Sequence, residues 1–284
     1  MNALLRRTMH RLRLRAALNG RLASKPPHYL CSYPKSGRTW LRFILANYFN
    51  IRHGLGLDLD FDNLFHILPN LSTSLRRGVD AYRFASDPRI PLVLSSHRPF
   101  SDSEFRGGDV VFMVRNVCDV LVSNYFHTTR QRREKRRFDG DLSAFVRDPG
   151  QGVAHYARYM NSWAPALRDK SSLVVSYESL SAEPERTAAR VLAFLGAGEV
   201  AEDALARATG ASTFDRMRET EVTKGIGGQN YDRSDPDALR VRKGKIGGYV
   251  EYLADTEVRF VAERCRELLD AKTVAMLEEL AVLP

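Results

Sequence analysis

"YPKSGRTW", residues 33–40, joins the β-prone run "HYLCSY" (28–33) to "TWLRFILANYFN" (39–50), whose apolar residues recur at helical spacing. Pro34 fixes its backbone and ends the strand, and Gly37 allows a tight turn. Amides at the start of the following helix then face one point, where the helix dipole favours an anion. Lys35 adds a positive charge, and Ser36 and Thr39 add hydroxyl donors. The spacing predicts a phosphate cradle at a strand-to-helix turn. The same letters also fit a capped helix start with a surface lysine. A magnesium-binding Walker loop is a poorer fit. It needs the Ser or Thr that follows the lysine to stand at the helix start; here Ser36 follows Lys35, but Gly37 and Arg38 intervene before Thr39.

Working outward, "IPLVLSSH" (90–97), "GDVVFMVRN" (108–116) and "SSLVVSYESL" (171–180) read as further strands. Their near-continuous apolar character is that of a parallel sheet buried on both faces. Helical patterns cover 117–129, 183–195, 202–209 and 255–269. This alternation predicts an α/β fold: a P-loop-like doubly wound parallel sheet flanked by helices, in a single domain over 25–284. Such sheets bind ligands beyond the carboxyl ends of their strands. Those ends are Tyr33 to Gly37, Ser95 to Arg98, Arg115 to Asn116, and Tyr177. Residues 220–250 are rich in glycine and charge and read as a long surface loop: a lid, a binding segment or simply a mobile stretch.

The chain has 284 residues, 44% of them hydrophobic, enough for a sizeable core, and a net charge of +9. A basic balance points to anionic partners. Residues 1–24 read as a basic amphipathic helix with Arg6, Arg7, Arg11, Arg13, Arg15 and Arg21 and no acid. A second basic run covers 130–137. Either run fits acidic lipid or a solvated helix face. Neither carries the interleaved aromatics of single-strand nucleic-acid binding, so nucleic acid is not expected as a partner. Cys31, Cys118 and Cys265 are too scattered for a disulfide framework or a zinc site. No apolar stretch spans a bilayer, and no secretion signal is evident. The expected location is cytoplasmic, with peripheral contact with anionic membrane as an option.

Four segments, in order, resemble the PAPS-dependent sulfotransferases of the cytosolic type, where PAPS is 3'-phosphoadenosine 5'-phosphosulfate. "YPKSGRTW" resembles their 5'-phosphosulfate loop. "VVFMVRNVCDVLVSNYFH" resembles the 3'-phosphate motif, with Arg115 and Ser123 eight residues apart. "VVSYESL" resembles the strand bearing a nucleotide-contacting tyrosine, here Tyr177, and "RKGKIGGY" the late segment that closes over the nucleotide. The resemblance implies transfer of a sulfuryl group from PAPS to a hydroxyl or amine, with no metal. It implies His97 as general base, Lys35 on the leaving phosphate oxygen, and Ser123 restraining Lys35. It implies nucleotide contacts from Lys35, Ser36, Gly37, Arg38, Thr39, Trp40, Arg115, Ser123, Tyr177, Ser212, Phe214, Arg242, Lys243 and Gly244. Read without the family, Arg115 could simply pair with Asp119 four residues on, and Trp40 could be a core aromatic.

The chain departs from the family in places. Arg38 stands for a threonine, and Ser95 for a lysine found two residues before the histidine, which shifts sulfuryl stabilisation onto Lys35 or Arg98. The family's dimer motif fails after Tyr249, so oligomeric state is left open. The acceptor is expected to be a small molecule, a lipid-linked group or a glycan. Phe61, Phe65, Ile67, Leu68, Tyr156, Tyr159 and Trp163 either line its pocket or pack as helix core. The rival readings are a P-loop kinase using ATP and magnesium, and a non-catalytic nucleotide or nucleic-acid binding protein.

Overall fold

The first strand, β1 (His28–Ser32), is buried at all five residues. It points Leu30 to one face of the sheet and Tyr29 and Cys31 to the other, as the two-residue strand period requires. The computed structural model describes residue 20 and residues 27–284, except 106, 132–136 and 170. Apart from residue 20, the expected basic helix over 1–24 lies outside the described residues, as does most of the run 130–137. Strands β2 (Val93–Ser96), β3 (Val110–Val114) and β4 (Ser172–Ser176) complete a four-stranded parallel sheet in the order β2-β1-β3-β4. Leu30 pairs with Ser95, Cys31 with Phe112 and Val111 with Leu173.

In chain order the helices among the described residues are α1 (Arg38–His53), α2 (Val117–Phe126), α3 (Leu142–Arg147), α4 (Val153–Asp169), α5 (Tyr177–Ala182), α6 (Pro184–Phe194), α7 (Glu202–Ala211), α8 (Phe214–Lys224), α9 (Asp255–Leu268) and α10 (Ala271–Glu279). Helix α1 buries Leu41, Ile44, Leu45, Tyr48 and Phe49, one stripe at positions three and four apart. With α6 and α7 it covers the face bearing Leu30, Val93, Val111, Met113 and Val175. Helices α2, α4, α9 and α10 cover the other face, with Phe112, Tyr156, Tyr159 and Trp163 at its centre. Phe112 is fully buried, and truncating such a side chain to alanine costs about 3–5 kcal/mol.

The doubly wound parallel sheet is therefore as expected, with three local differences. The expected strand 171–180 ends at Ser176, whose hydroxyl accepts from the Ser179 amide at 3.0 Å and caps α5. Tyr177 thus opens a helix instead of ending a strand. The expected loop 220–250 loses its first residues to α8, so it begins at Gly225. The apolar residues set out as pocket or core are core: Phe61, Phe65, Ile67, Leu68, Tyr156, Tyr159 and Trp163 are all buried. The chain leaves β1 toward β2 on one side and returns to β3 on the other. A crevice follows at the carboxyl ends of β1 and β3.

Candidate active site

The turn after β1 enters that crevice with two left-handed residues, Lys35 at φ 71 and Gly37 at φ 91. Lys35 is a non-glycine residue in a region that costs about 1–3 kcal/mol, a strain that local structure must hold in place. Gly37 caps α1, and no side chain caps that helix start, which leaves its terminal amides for an anion. Ser36 is buried. Arg38, the first residue of α1, is only 8% exposed. Its Nε and Nη1 have no hydrogen-bond partner.

Around the turn lies a cavity of about 520 Å³. Of the expected site residues it brings together Lys35, Gly37, Arg38, Thr39, Trp40, His97, Arg115, Ser123, Tyr177, Phe214, Arg242, Lys243 and Gly244. Two expected residues are not in its lining. Ser36 is buried behind the turn, and Ser212 is fully buried. The Ser212 hydroxyl donates to the Ala208 carbonyl at 2.8 Å and accepts from Asn47 at 3.0 Å. Its carbonyl accepts from the Trp40 indole at 2.9 Å. Ser212 thus holds Trp40 and does not face the ligand space.

The second wall is the end of β3. Arg115 Nη2 donates to the Lys245 carbonyl at 2.9 Å and lies 3.4 Å from Asp119 Oδ2. The Arg115–Asp119 pair weighed from sequence therefore exists, but inside the cavity rather than on the surface. Asp119 has a further task. It accepts from the amides of Gly247 at 2.9 Å and Tyr249 at 3.0 Å and so anchors the late segment. The Arg115 guanidinium lies 4.3 Å from the Tyr177 ring centroid, and the Tyr177 hydroxyl donates to the Gly244 carbonyl at 3.0 Å. Gly244 sits at φ 63, where a Cβ would meet Phe214 at 2.4 Å.

The late segment carries residues that the sequence reading did not single out. Arg240 lines the cavity with its Nε unpartnered. It stands two residues before Arg242, and that spacing in an extended segment was the available signal. Arg242 donates to the Tyr252 hydroxyl at 2.9 Å and lies 4.2 Å from the Phe126 ring centroid. The Lys243 ammonium is held by Glu251, which also accepts from Lys245 at 2.9 Å. Beneath them the Glu221 carboxylate is fully buried. It accepts from the Arg240 amide at 2.7 Å, the Val241 amide at 2.8 Å and the Tyr231 hydroxyl at 2.7 Å. His127 and Lys245 are among the further lining residues that were not expected.

Crowded cations change the titration of Lys35. Burial pushes its ammonium down to about 7, Arg240, Arg242 and Arg115 reinforce the effect, and Glu221 opposes it. Burial likewise brings Arg38 down to about 10, still fully charged near neutral pH. At the third wall, His97 Nδ1 lies 2.8 Å from the Ser32 carbonyl oxygen. A carbonyl can only accept, so Nδ1 carries the proton and Nε2 is the free base. His97 is exposed to the open cavity, so water screens the desolvation by surrounding protein; that desolvation, with the Arg38 charge next, still pulls the imidazole below its usual 6.5, while the Ser32 bond opposes. A neutral base thus faces a cradle of cations, an arrangement able to bind a polyanion and take a proton beside it.

A family model described as the sulfotransferase domain matches residues 25–273. Sulfotransferase 2A1 of Macaca fascicularis is 26% identical over 262 residues, 88% of this chain and 85% of that one. Cytosolic sulfotransferase 5 of Arabidopsis thaliana is 26% identical over 84% of this chain and 79% of its own. Mouse sulfotransferase SULT7A1, solved with PAP, superposes with a TM-score of 0.63 at 18% identity, covering 93% of each chain. The chain belongs to the PAPS-dependent sulfotransferase family and is an enzyme of sulfuryl transfer.

Proposed function

We propose that PAPS lies with its 5'-phosphosulfate in the turn 34–39 and its 3'-phosphate between Arg115 and Ser123, with Arg242 and Lys243 closing over it. Trp40 and Phe214 flank the adenine, and Tyr177 supports the turn from below. His97 takes the acceptor proton on Nε2, Lys35 neutralises the leaving phosphate oxygen, and Ser123 holds Lys35 in place. The observation that carries this reading is the His97–Ser32 bond of 2.8 Å, which leaves Nε2 unprotonated in a cavity otherwise rich in cations.

The acceptor we favour is a small molecule with a hydroxyl group. Two solved relatives support that class: retinol dehydratase complexes contain androsterone or retinol together with PAP, at TM-scores of 0.59 and 0.61. A cytoplasmic location fits the three buried free cysteines, and the basic segment 1–24 offers peripheral contact with anionic lipid. Among the described residues no helix is long and apolar enough to cross a membrane.

The test is transfer of labelled sulfate from PAPS to phenols, sterols, glycolipids and glycans, with PAP binding measured by calorimetry. Labelling of a phenol or sterol, with PAP bound, is expected. A protein that binds neither PAPS nor PAP overturns the reading. Labelling confined to glycans overturns the acceptor class.

A further inference from the structure

The cations of the cavity fall into two groups by what they face. Arg115, Arg242, Lys243 and Lys245 each have a protein partner on the nucleotide side: Asp119, Tyr252 or Glu251. Lys35 senses the same side, since the charges acting on it are those of Arg240, Glu221, Arg242 and Arg115. Arg38 goes further: it is nine-tenths buried, lines the cavity, and leaves two donors, Nε and Nη1, without a partner, where Arg115, Arg240 and Arg242 each leave Nε alone. Its charge is coupled to Cys31 and Tyr159 around β1 and to the base His97, as well as to Arg240 of the late segment.

A buried guanidinium with unmet donors is costly unless an anion completes it. Other candidates for a cation beside His97 are spent. Arg98 is paired with Glu104, has a side chain 54% exposed, and is not in the cavity lining. Ser95 offers only a buried hydroxyl, itself unpartnered. Between a phosphate held on the Lys35 side and a base on the His97 side lies the group in transit.

Resting on the cofactor reading above, we infer that Arg38 is the sulfuryl-binding catalytic residue of this chain, its donors meeting the non-bridging oxygens of the group as it moves toward the acceptor. The acceptor oxygen forms the new bond to sulfur as its proton passes to His97 Nε2. The bond between sulfur and the 5'-phosphate oxygen breaks, and its electron pair stays on the phosphate of PAP. Nothing is oxidised or reduced. A planar fork of donors suits three equatorial oxygens and would be matched poorly by an ammonium. It also acts where charge is spread in transit, so its loss should lower turnover by about 10²–10³-fold.

The experiment compares binding of PAPS and PAP to the intact protein and to Arg38→Gln, because only PAPS carries the sulfuryl group. The expected result is PAPS affinity lowered about tenfold or more, PAP affinity changed less than about threefold, and slower release of labelled sulfate from PAPS. Equal weakening of both nucleotides would make Arg38 a plain 5'-phosphate contact and overturn the inference alone. Failure of the unaltered protein to bind either would overturn the cofactor reading as well. If circular dichroism shows that Arg38→Gln is unfolded, Arg38→Lys decides. Selective loss of PAPS affinity supports the assignment, and unchanged affinity for both nucleotides rejects it.

Discussion

The Tyr177 ring fills the space that a side chain on Gly37 would need: a Cβ there would stand 2.4 Å from Tyr177 Cδ2. The same ring lies against Arg115 at 4.3 Å, approaches Trp40 at 5.5 Å between centroids, and bonds Gly244 through its hydroxyl. One aromatic residue thus ties the turn 34–39 to Arg115 at the end of β3 and to Gly244 of the late segment.

Gly37→Ala should therefore damage binding twice over. The alanine must adopt a left-handed φ, which costs about 1–2 kcal/mol, and it must push Tyr177 out of its seat. PAP affinity measured by calorimetry should fall by more than about tenfold. Tyr177→Phe keeps the ring and loses one hydrogen bond, worth about 0.5–1.5 kcal/mol. Its effect should be severalfold smaller. Wild-type affinity in Gly37→Ala would show that the turn does not cradle the ligand.

On the proposed reading, the Lys35 titration would set the alkaline side of the pH profile. With its pKa lowered to about 7 by burial and by Arg240, Arg242 and Arg115, Lys35 is charged below that pH and neutral above it. Only the charged form attracts the phosphosulfate, so kcat/KM for PAPS should fall as pH rises through 7. Binding of PAP at pH 8 should take up a proton, which calorimetry in buffers of different ionisation enthalpy would detect. Lys35→Met should flatten the alkaline limb and abolish the uptake.

As the proposed base, His97 would set the acid side. Its imidazole is pulled down, chiefly by desolvation from the surrounding protein and then by the Arg38 charge, so the neutral base persists to lower pH than in a free imidazole. Activity should hold as pH drops through 6.5 and fail only further down. His97→Ala should keep PAP affinity and lose about 10²–10⁴ of turnover. If that variant turns over at the normal rate, the base lies elsewhere.

Arg115 offers a test of the nucleotide's orientation. The intact protein should bind PAP more tightly than AMP, which lacks the 3'-phosphate. Arg115→Ala should weaken PAP about tenfold or more and leave AMP nearly unchanged, since a charge-assisted fork is lost at one phosphate only. A similar loss for both ligands would place the 3'-phosphate at another wall.

Much of this site was legible because its parts are contiguous. Lys35, Gly37, Arg38 and Trp40 belong to one strand-turn-helix, and Arg115 and Ser123 to the next, so spacing along the chain carries their geometry. The glycine of "RKG" needs its φ of 63 against Phe214, and that need leaves a local mark. Glu221 left none. Its helix, α8, buries only Met217 and Glu221 and so shows no apolar stripe, and the partners of Glu221 lie 10 to 20 residues away. Asp119 was visible as the partner of Arg115, but not as the anchor of Gly247 and Tyr249, 128 and 130 residues on. Ser212 was misplaced for a similar reason. Its carbonyl serves the Trp40 indole 172 residues earlier, a task that does not depend on a serine side chain.

Glu221 supplies the sharpest test of how the late segment is held. Its carboxylate receives two backbone amides and a phenol from the segment that carries Arg240, Arg242 and Lys243. In Glu221→Ala those donors lose their acceptor, at about 1–3 kcal/mol for each buried group left unpaired. Lys35 also loses the one carboxylate that favours its charge. The segment should detach, so limited proteolysis between residues 225 and 254 should quicken, and PAP affinity should fall about tenfold. Glu221→Gln keeps one acceptor oxygen and should fall between the two. If proteolysis and affinity are both unchanged in Glu221→Ala, the segment is held without Glu221, by contacts such as those of Asp119, Arg115 and Tyr177.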